Sequence, residues 1–108
     1  MKFLITENKL EQIVFRYLDN KNFTIKETVN EYYFLENKDD RFAQILVTKK
    51  DKECFIYIQL FDEISPFFSL GTIETAQIIT RYVEKTLNFE LDDTFIRRVK
   101  DLMRVGHI

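Results

Sequence analysis

The sequence predicts an α+β fold: a four-stranded antiparallel meander sheet with one N-terminal and two C-terminal helices. The order is α-β-β-β-β-α-α, in a single domain spanning 1–108. Three observations lead there. The hydrophobic period is helical over 6–20, changes to two between Phe23 and Phe61, and turns helical again from Thr72. The apolar runs of the middle stretch are separated only by short polar turns, and connections this short join antiparallel neighbours. The 108 residues are 45% hydrophobic and 31% charged, a globular balance in one domain's worth of chain.

The first helix is read over 6–20. Thr6 is its expected N-cap, and Glu7 places negative charge at the positive end of the helix dipole. Leu10, Ile13, Val14, Tyr17 and Leu18 recur at helical spacing as one apolar stripe, with Phe15 off it. The polar cluster at 19–22 ends the helix without glycine.

Four strands follow at 23–28, 31–36, 42–48 and 53–61. Their turns fall at Val29-Asn30, where Asn30 tolerates a left-handed backbone, at 37–40 and at 49–52. Pairing Glu27 with Tyr32, Glu36 with Arg41 and Val47 with Cys54 sorts the side chains onto two faces. Phe23, Ile25, Tyr32, Phe34, Ala43, Ile45, Val47, Cys54, Ile56, Ile58 and Leu60 make one nearly all-apolar face. It must be the core, because a slip of one residue would turn the whole set to water. The segment 62–71 holds the only proline and is read as irregular, since Ser65-Pro66 disfavours helix at Ser65. A helix from Gly71 or Thr72 to Asn88 buries Ile73, Ala76, Ile79, Tyr82, Val83 and Leu87. A last helix, capped by Asp92 or Asp93, turns Phe95, Ile96, Val99, Leu102 and Met103 inward and stops at Gly106.

Several function classes lack the residues they need. Two glycines, Gly71 and Gly106, cannot compose a G-x-G-x-x-G or a P-loop. The single Cys54 falls on the core face and the single His107 is penultimate, so neither supplies a nucleophile with its base. The acid pairs Asp39-Asp40, Asp62-Glu63 and Asp92-Asp93 lie where turns and helix starts already call for acids. No catalytic residue, metal site or cofactor is therefore expected. The opening MKFLITENKL lacks a signal peptide's apolar region, and no stretch reaches the roughly 18–20 apolar residues of a membrane span. A cytoplasmic protein without membrane contact is expected.

Two surfaces remain as binding candidates. The second sheet face carries Tyr33, Leu35, Phe42, Leu46, Phe55, Tyr57 and Phe61, a contiguous apolar surface that monomers rarely leave bare. It is covered either by the chain's own helices, in an α/β/α arrangement, or by a protein partner or second copy. Tyrosine and phenylalanine suit such contacts. The last helix carries Arg97, Arg98, Lys100 and Arg104 against the single acid Asp101, a local charge of +3 in a chain of net charge −2. A basic helix suits phosphates or an acidic partner, although bases toward a helix C-terminus are also ordinary dipole chemistry.

The residues Met1, Lys2, Ile5, Thr6, Glu7, Leu10, Tyr17, Leu18 and Asp19 form an opening that resembles the start of many small tailed-bacteriophage proteins. The resemblance covers about the first fifth of the chain, implies a phage-encoded accessory protein, and transfers no functional residue. The reading of the whole sequence is a non-enzymatic interaction protein that binds a protein partner or itself through the apolar sheet face. The alternatives are a nucleic-acid-associated factor using Arg97, Arg98, Lys100 and Arg104, or a small virion component.

Overall fold

A computed structural model describes the backbone of residues 2–106 and the side chains of 9–106. It is α+β, with a five-stranded mixed sheet and three α-helices. The order is α1 (Lys2–Asn20), β1 (Thr24–Glu27), β2 (Glu31–Leu35), β3 (Ile45–Thr48), β4 (Glu53–Tyr57), α2 (Ile58–Phe67), α3 (Thr72–Leu87) and β5 (Asp93–Arg97), then a 3-10 turn at Lys100–Met103.

α1 begins at Lys2, so Thr6 lies inside the helix and is not its cap. Its end is as expected from the 19–22 cluster. Asn22 takes a left-handed φ of 57°, and its N–H donates to the Asp19 carbonyl.

The sheet runs β1-β2-β3-β4-β5. The first three pairings are antiparallel, with Glu27 opposite Tyr32 and Val47 opposite Cys54. The middle register differs from the expected one by two residues, Phe34 facing Ile45 where Glu36–Arg41 pairing would place Ala43. An even shift keeps every paired side chain of β2 and β3 on its expected face, whereas Ala43, which precedes β3, leaves it. At the first turn Asn30 keeps a negative φ. The Thr28 hydroxyl accepts the Glu31 N–H instead (3.0 Å), and the left-handed residue of the later hairpin is Lys52.

The fourth strand stops at Tyr57, four residues before its expected end. Leu60, Phe61 and Ile64 then share one buried helical stripe of α2. That stripe satisfies helical spacing as well as Ile58–Leu60 satisfies alternation, and a position against the core decides between them. Pro66 sits in the last turn of α2. Its missing N–H affects only the Asp62 carbonyl, and both residues are exposed. Ser69, at φ 54°, turns the chain toward α3.

α3 matches its expected bounds. Glu74 Oε1 accepts the Gly71 N–H at its start, and Asn88 closes it in a left-handed conformation. Its buried stripe is Thr75, Ile78, Ile79, Tyr82 and Val83, rotated from the expected one so that Ile73 stands 72% exposed.

The largest departure is at the end. The expected last helix is instead β5, parallel to β4, with Cys54 opposite Thr94 and Ile56 opposite Ile96. Thr94, Phe95 and Ile96 are good strand formers, and the free edge of β4 offers them a full ladder of hydrogen bonds that a surface helix lacks.

The main core lies between the sheet and the helices. Phe34, Ile45, Val47, Cys54 and Ile56 from the strands meet Val14 and Leu18 of α1, Leu60, Phe61 and Ile64 of α2, and Ile78, Ile79, Tyr82 and Val83 of α3. Ile25 is partly outside this core at 41% exposure, and Ala43 packs on the opposite side of the sheet.

Candidate interaction surface

Alternation along β2, β3, β4 and β5 turns Tyr33, Leu35, Leu46, Phe55, Tyr57, Phe95 and Arg97 away from the helices. What packs on this second face is not a helix layer but the chain's own C-terminal strap, residues 98–106. Met103 is fully buried among Tyr33, Leu35, Ala43, Leu46 and Phe55, and Val105 packs beside it. Backbone bonds hold the strap down. The Ala43 N–H donates to the Met103 carbonyl (2.8 Å), the Val105 N–H donates to the Arg41 carbonyl (2.8 Å), and Arg104 bridges Phe42.

The seven apolar residues expected to share one surface are thus divided. Tyr33, Leu35, Leu46 and Phe55 are buried, and a partner meets them only if the strap lifts. Phe42 and Tyr57 are half-buried at its margin. Phe61 belongs to α2 and the main core, because the fourth strand ends before reaching it.

The four basic residues are not on one α-helix: Arg97 closes β5, Arg98 follows it, Lys100 opens the 3-10 turn and Arg104 follows that turn. Arg97, on β5, holds its guanidinium 3.6 Å from the Phe55 ring centroid and donates from Nη1 to the Leu102 carbonyl (2.7 Å). Burial lowers the Arg97 pKa while the Glu53 charge opposes the change, and an arginine so placed stays charged. Phe95 stacks on Phe55 with centroids 5.4 Å apart and planes at 22°. Lys100 Nζ and Arg104 Cζ lie 4.7 and 5.5 Å from the Phe42 ring centroid. Arg98, Lys100 and Arg104 are exposed.

Beside these cations stand apolar side chains that sequence reasoning assigned to a buried helix face. Phe95, Val99 and Leu102 are 44%, 56% and 53% exposed. The signal that could have found them is the alternation Thr94-Phe95-Ile96-Arg97, which sends Phe95 and Arg97 to one face and Thr94 and Ile96 to the other.

Two depressions flank this region. One, of about 180 Å³, is lined by Phe42, Tyr57 and Lys100 together with the acids Glu36 and Asp40. The other, of about 460 Å³, is an open groove between α3 and β5.

Cys54 is fully buried, and burial, followed by the Glu84 charge, pushes its pKa up to about 12. His107 lies outside the described residues. Among the described residues no group of three or more His, Cys, Asp or Glu is placed to hold a metal ion. No described helix is long and apolar enough to cross a membrane. Comparison with family models, with curated proteins and with solved structures finds no match for this chain.

Proposed function

We propose that this chain is a non-enzymatic interaction protein that binds an acidic, partly apolar surface of another protein through β5 and the strap. One observation carries the reading. Phe95, Val99 and Leu102 are exposed beside Arg98, Lys100 and Arg104, on a segment otherwise anchored by the buried Met103. Apolar side chains surrounded by basic ones form the centre and rim of a small docking surface. The anchoring means that little ordering entropy is lost on binding. The resemblance of residues 1–19 to phage proteins supports an accessory role inside a host cell, in the cytoplasm or on a virion.

Nucleic acid is the second reading, favoured by the interleaving of Phe42 with Lys100 and Arg104. Against it, the Phe55 ring already stacks with Phe95 and carries the Arg97 guanidinium. Stacking platforms for single strands need free ring faces.

The test is affinity capture from the natural host with three baits: the natural chain, Val99→Asp/Leu102→Asp, and Arg98→Glu/Lys100→Glu/Arg104→Glu. A protein held by the first and lost by both variants is the expected result. Capture unchanged in both variants overturns the reading. Salt-sensitive retention on DNA or RNA, abolished only by the charge reversals, favours nucleic acid instead.

A further inference from the structure

We propose that the free edge of β5 pairs antiparallel with β5 of a second copy, joining two sheets into one across a two-fold axis at Phe95. The surface adjoins the one above at Phe95, but the backbone edge of the strand carries it rather than the exposed side chains of the strap.

β5 ends the sheet, and among the described residues no strand pairs with its outer side. Its backbone groups therefore present a template for strand addition. The other edge, β1, is blunted: its residues Thr24-Ile25-Lys26-Glu27 place a lysine and an acid in a strand of four. β5 has neither lysine nor proline, and its centre is Thr94-Phe95-Ile96. Such a strand is a good former, and its charges Asp93 and Arg97 stand only at its two ends, leaving the centre open to pairing.

The second copy is singled out as occupant by charge complementarity. β5 begins with Asp93 and ends with Arg97. Antiparallel pairing about Phe95 sets Asp93 of each chain opposite Arg97 of the other and Thr94 opposite Ile96. This pairs both charges twice and leaves none facing its like. A two-fold interface must be complementary to itself, and this five-residue strand is. Asp93 is exposed, and the Arg97 guanidinium, with one N–H committed to Leu102, has further donors for a carboxylate.

The groove above the same edge continues the match. Its α3 wall is a helical stripe of Ile73, Ala76 and Thr80, and its floor includes Thr94 and Ile96. A hydrogen bond between the Thr80 and Thr94 hydroxyls (2.6 Å) ties that wall to β5. Joining the sheets brings the two α3 helices side by side across the axis, where small Ala76 and Thr80 permit close approach. Ile73 is then covered.

The test is the mass of the full chain in solution, by sedimentation equilibrium over a wide concentration range. The expected species is a dimer of twice 13.1 kDa. Asp93→Arg and Arg97→Asp should each weaken association at least about tenfold, since each sets like charges opposite one another twice. An equimolar mixture of the two variants should restore a heterodimer, and the double exchange in one chain a homodimer. Should Arg97→Asp fail to fold by circular dichroism, Asp93→Arg against Asp93→Asn decides: the reversal must weaken the dimer more than the neutralisation. A natural chain monomeric throughout overturns the proposal, including the case where β5 receives another protein's strand. So does a dimer indifferent to Asp93 but broken by Val99→Asp/Leu102→Asp. Neither result touches the charge-reversal arm of the capture test, which reads Arg98, Lys100 and Arg104.

Discussion

The Arg97 guanidinium lies 3.6 Å from the centroid of the Phe55 ring, so a residue of the last strand caps the second face above the strand beside it. The contact joins a cation to a ring quadrupole in a partly dehydrated place and is reinforced by the bond from Nη1 to the Leu102 carbonyl. Arg97→Ala should lower stability by about 1–2 kcal/mol, a cation–π contact plus one hydrogen bond. Arg97→Lys should recover only part, because an ammonium lacks the planar face. The reading is the denaturant midpoint at constant slope; an unchanged midpoint for Arg97→Ala would show the contact contributes nothing.

Met103 is the strap's anchor. Met103→Ala should cost roughly 2–5 kcal/mol, the range for emptying a fully buried site. Met103→Asp goes further by placing a charge among Tyr33, Leu35 and Leu46. The strap should then detach while the helices, which pack on the other side of the sheet, persist. Dye binding to exposed apolar surface should rise with little loss of helical circular dichroism. Loss of both signals together would show that strap and main core unfold as one unit.

Glu63 joins α2 to the end of α1. It accepts hydrogen bonds from the Tyr17 hydroxyl and from Lys21 Nζ (2.8 Å), and Lys21 also reaches Glu36 at 3.4 Å. Burial alone would raise the Glu63 pKa, but the bonds from Lys21 and Tyr17 and the Lys21 charge outweigh it and hold the carboxyl below its usual value. Its stabilisation is complete above the unfolded carboxyl pKa, about 4.3, and is lost as pH falls through the lower folded value. Stability measured from about pH 6 to about pH 3 should therefore fall less steeply in Glu63→Gln than in the natural chain. Parallel curves would remove Glu63 from the acid response.

At high pH three of the five tyrosines should titrate late: Tyr17, raised by its hydrogen bond to Glu63 and then by burial, and Tyr33 and Tyr82. Burial, then a hydrogen bond to Glu31 (2.6 Å), pushes Tyr33 up to about 12. Burial, then a bond to Asp19 (3.1 Å), does the same for Tyr82. Each favours the folded state fully below the unfolded value of about 10, and the contribution is lost as pH rises through the folded value. Phenolate absorbance should rise in two stages, the later one shrinking in Tyr33→Phe and in Tyr82→Phe. A single stage in the natural chain would contradict the buried hydrogen bonds.

The antiparallel hairpins were legible in the sequence because their signals are local. Alternation from Phe23 to Tyr57 and the polar turns carry face and direction within a few residues. Face survived even where the middle register shifted, since two residues is a whole period of the strand. The helical stretch ending in the 19–22 cluster, and α3 between Gly71 and Asn88, were legible for the same reason. α2 was not. Residues 58–64 satisfy both periods, and Pro66 spoke against a helix that solvent nonetheless tolerates at its last turn.

The candidate surface shows the boundary most clearly. The sequence alone determined that this is an α+β chain, that Tyr33, Leu46 and Phe55 share a side of the sheet, and that Arg97, Arg98, Lys100 and Arg104 form one basic stretch. Only the tertiary structure decided that this stretch is a strand and a strap rather than a helix. The reason is that β4 has an open edge and an apolar face, and residues some forty positions further along satisfy both. Helical spacing of Phe95, Ile96, Val99, Leu102 and Met103 describes these residues in isolation. The hydrogen bonds of β4 and the burial of Met103 outweigh it, and neither can be read from the segment that they reshape.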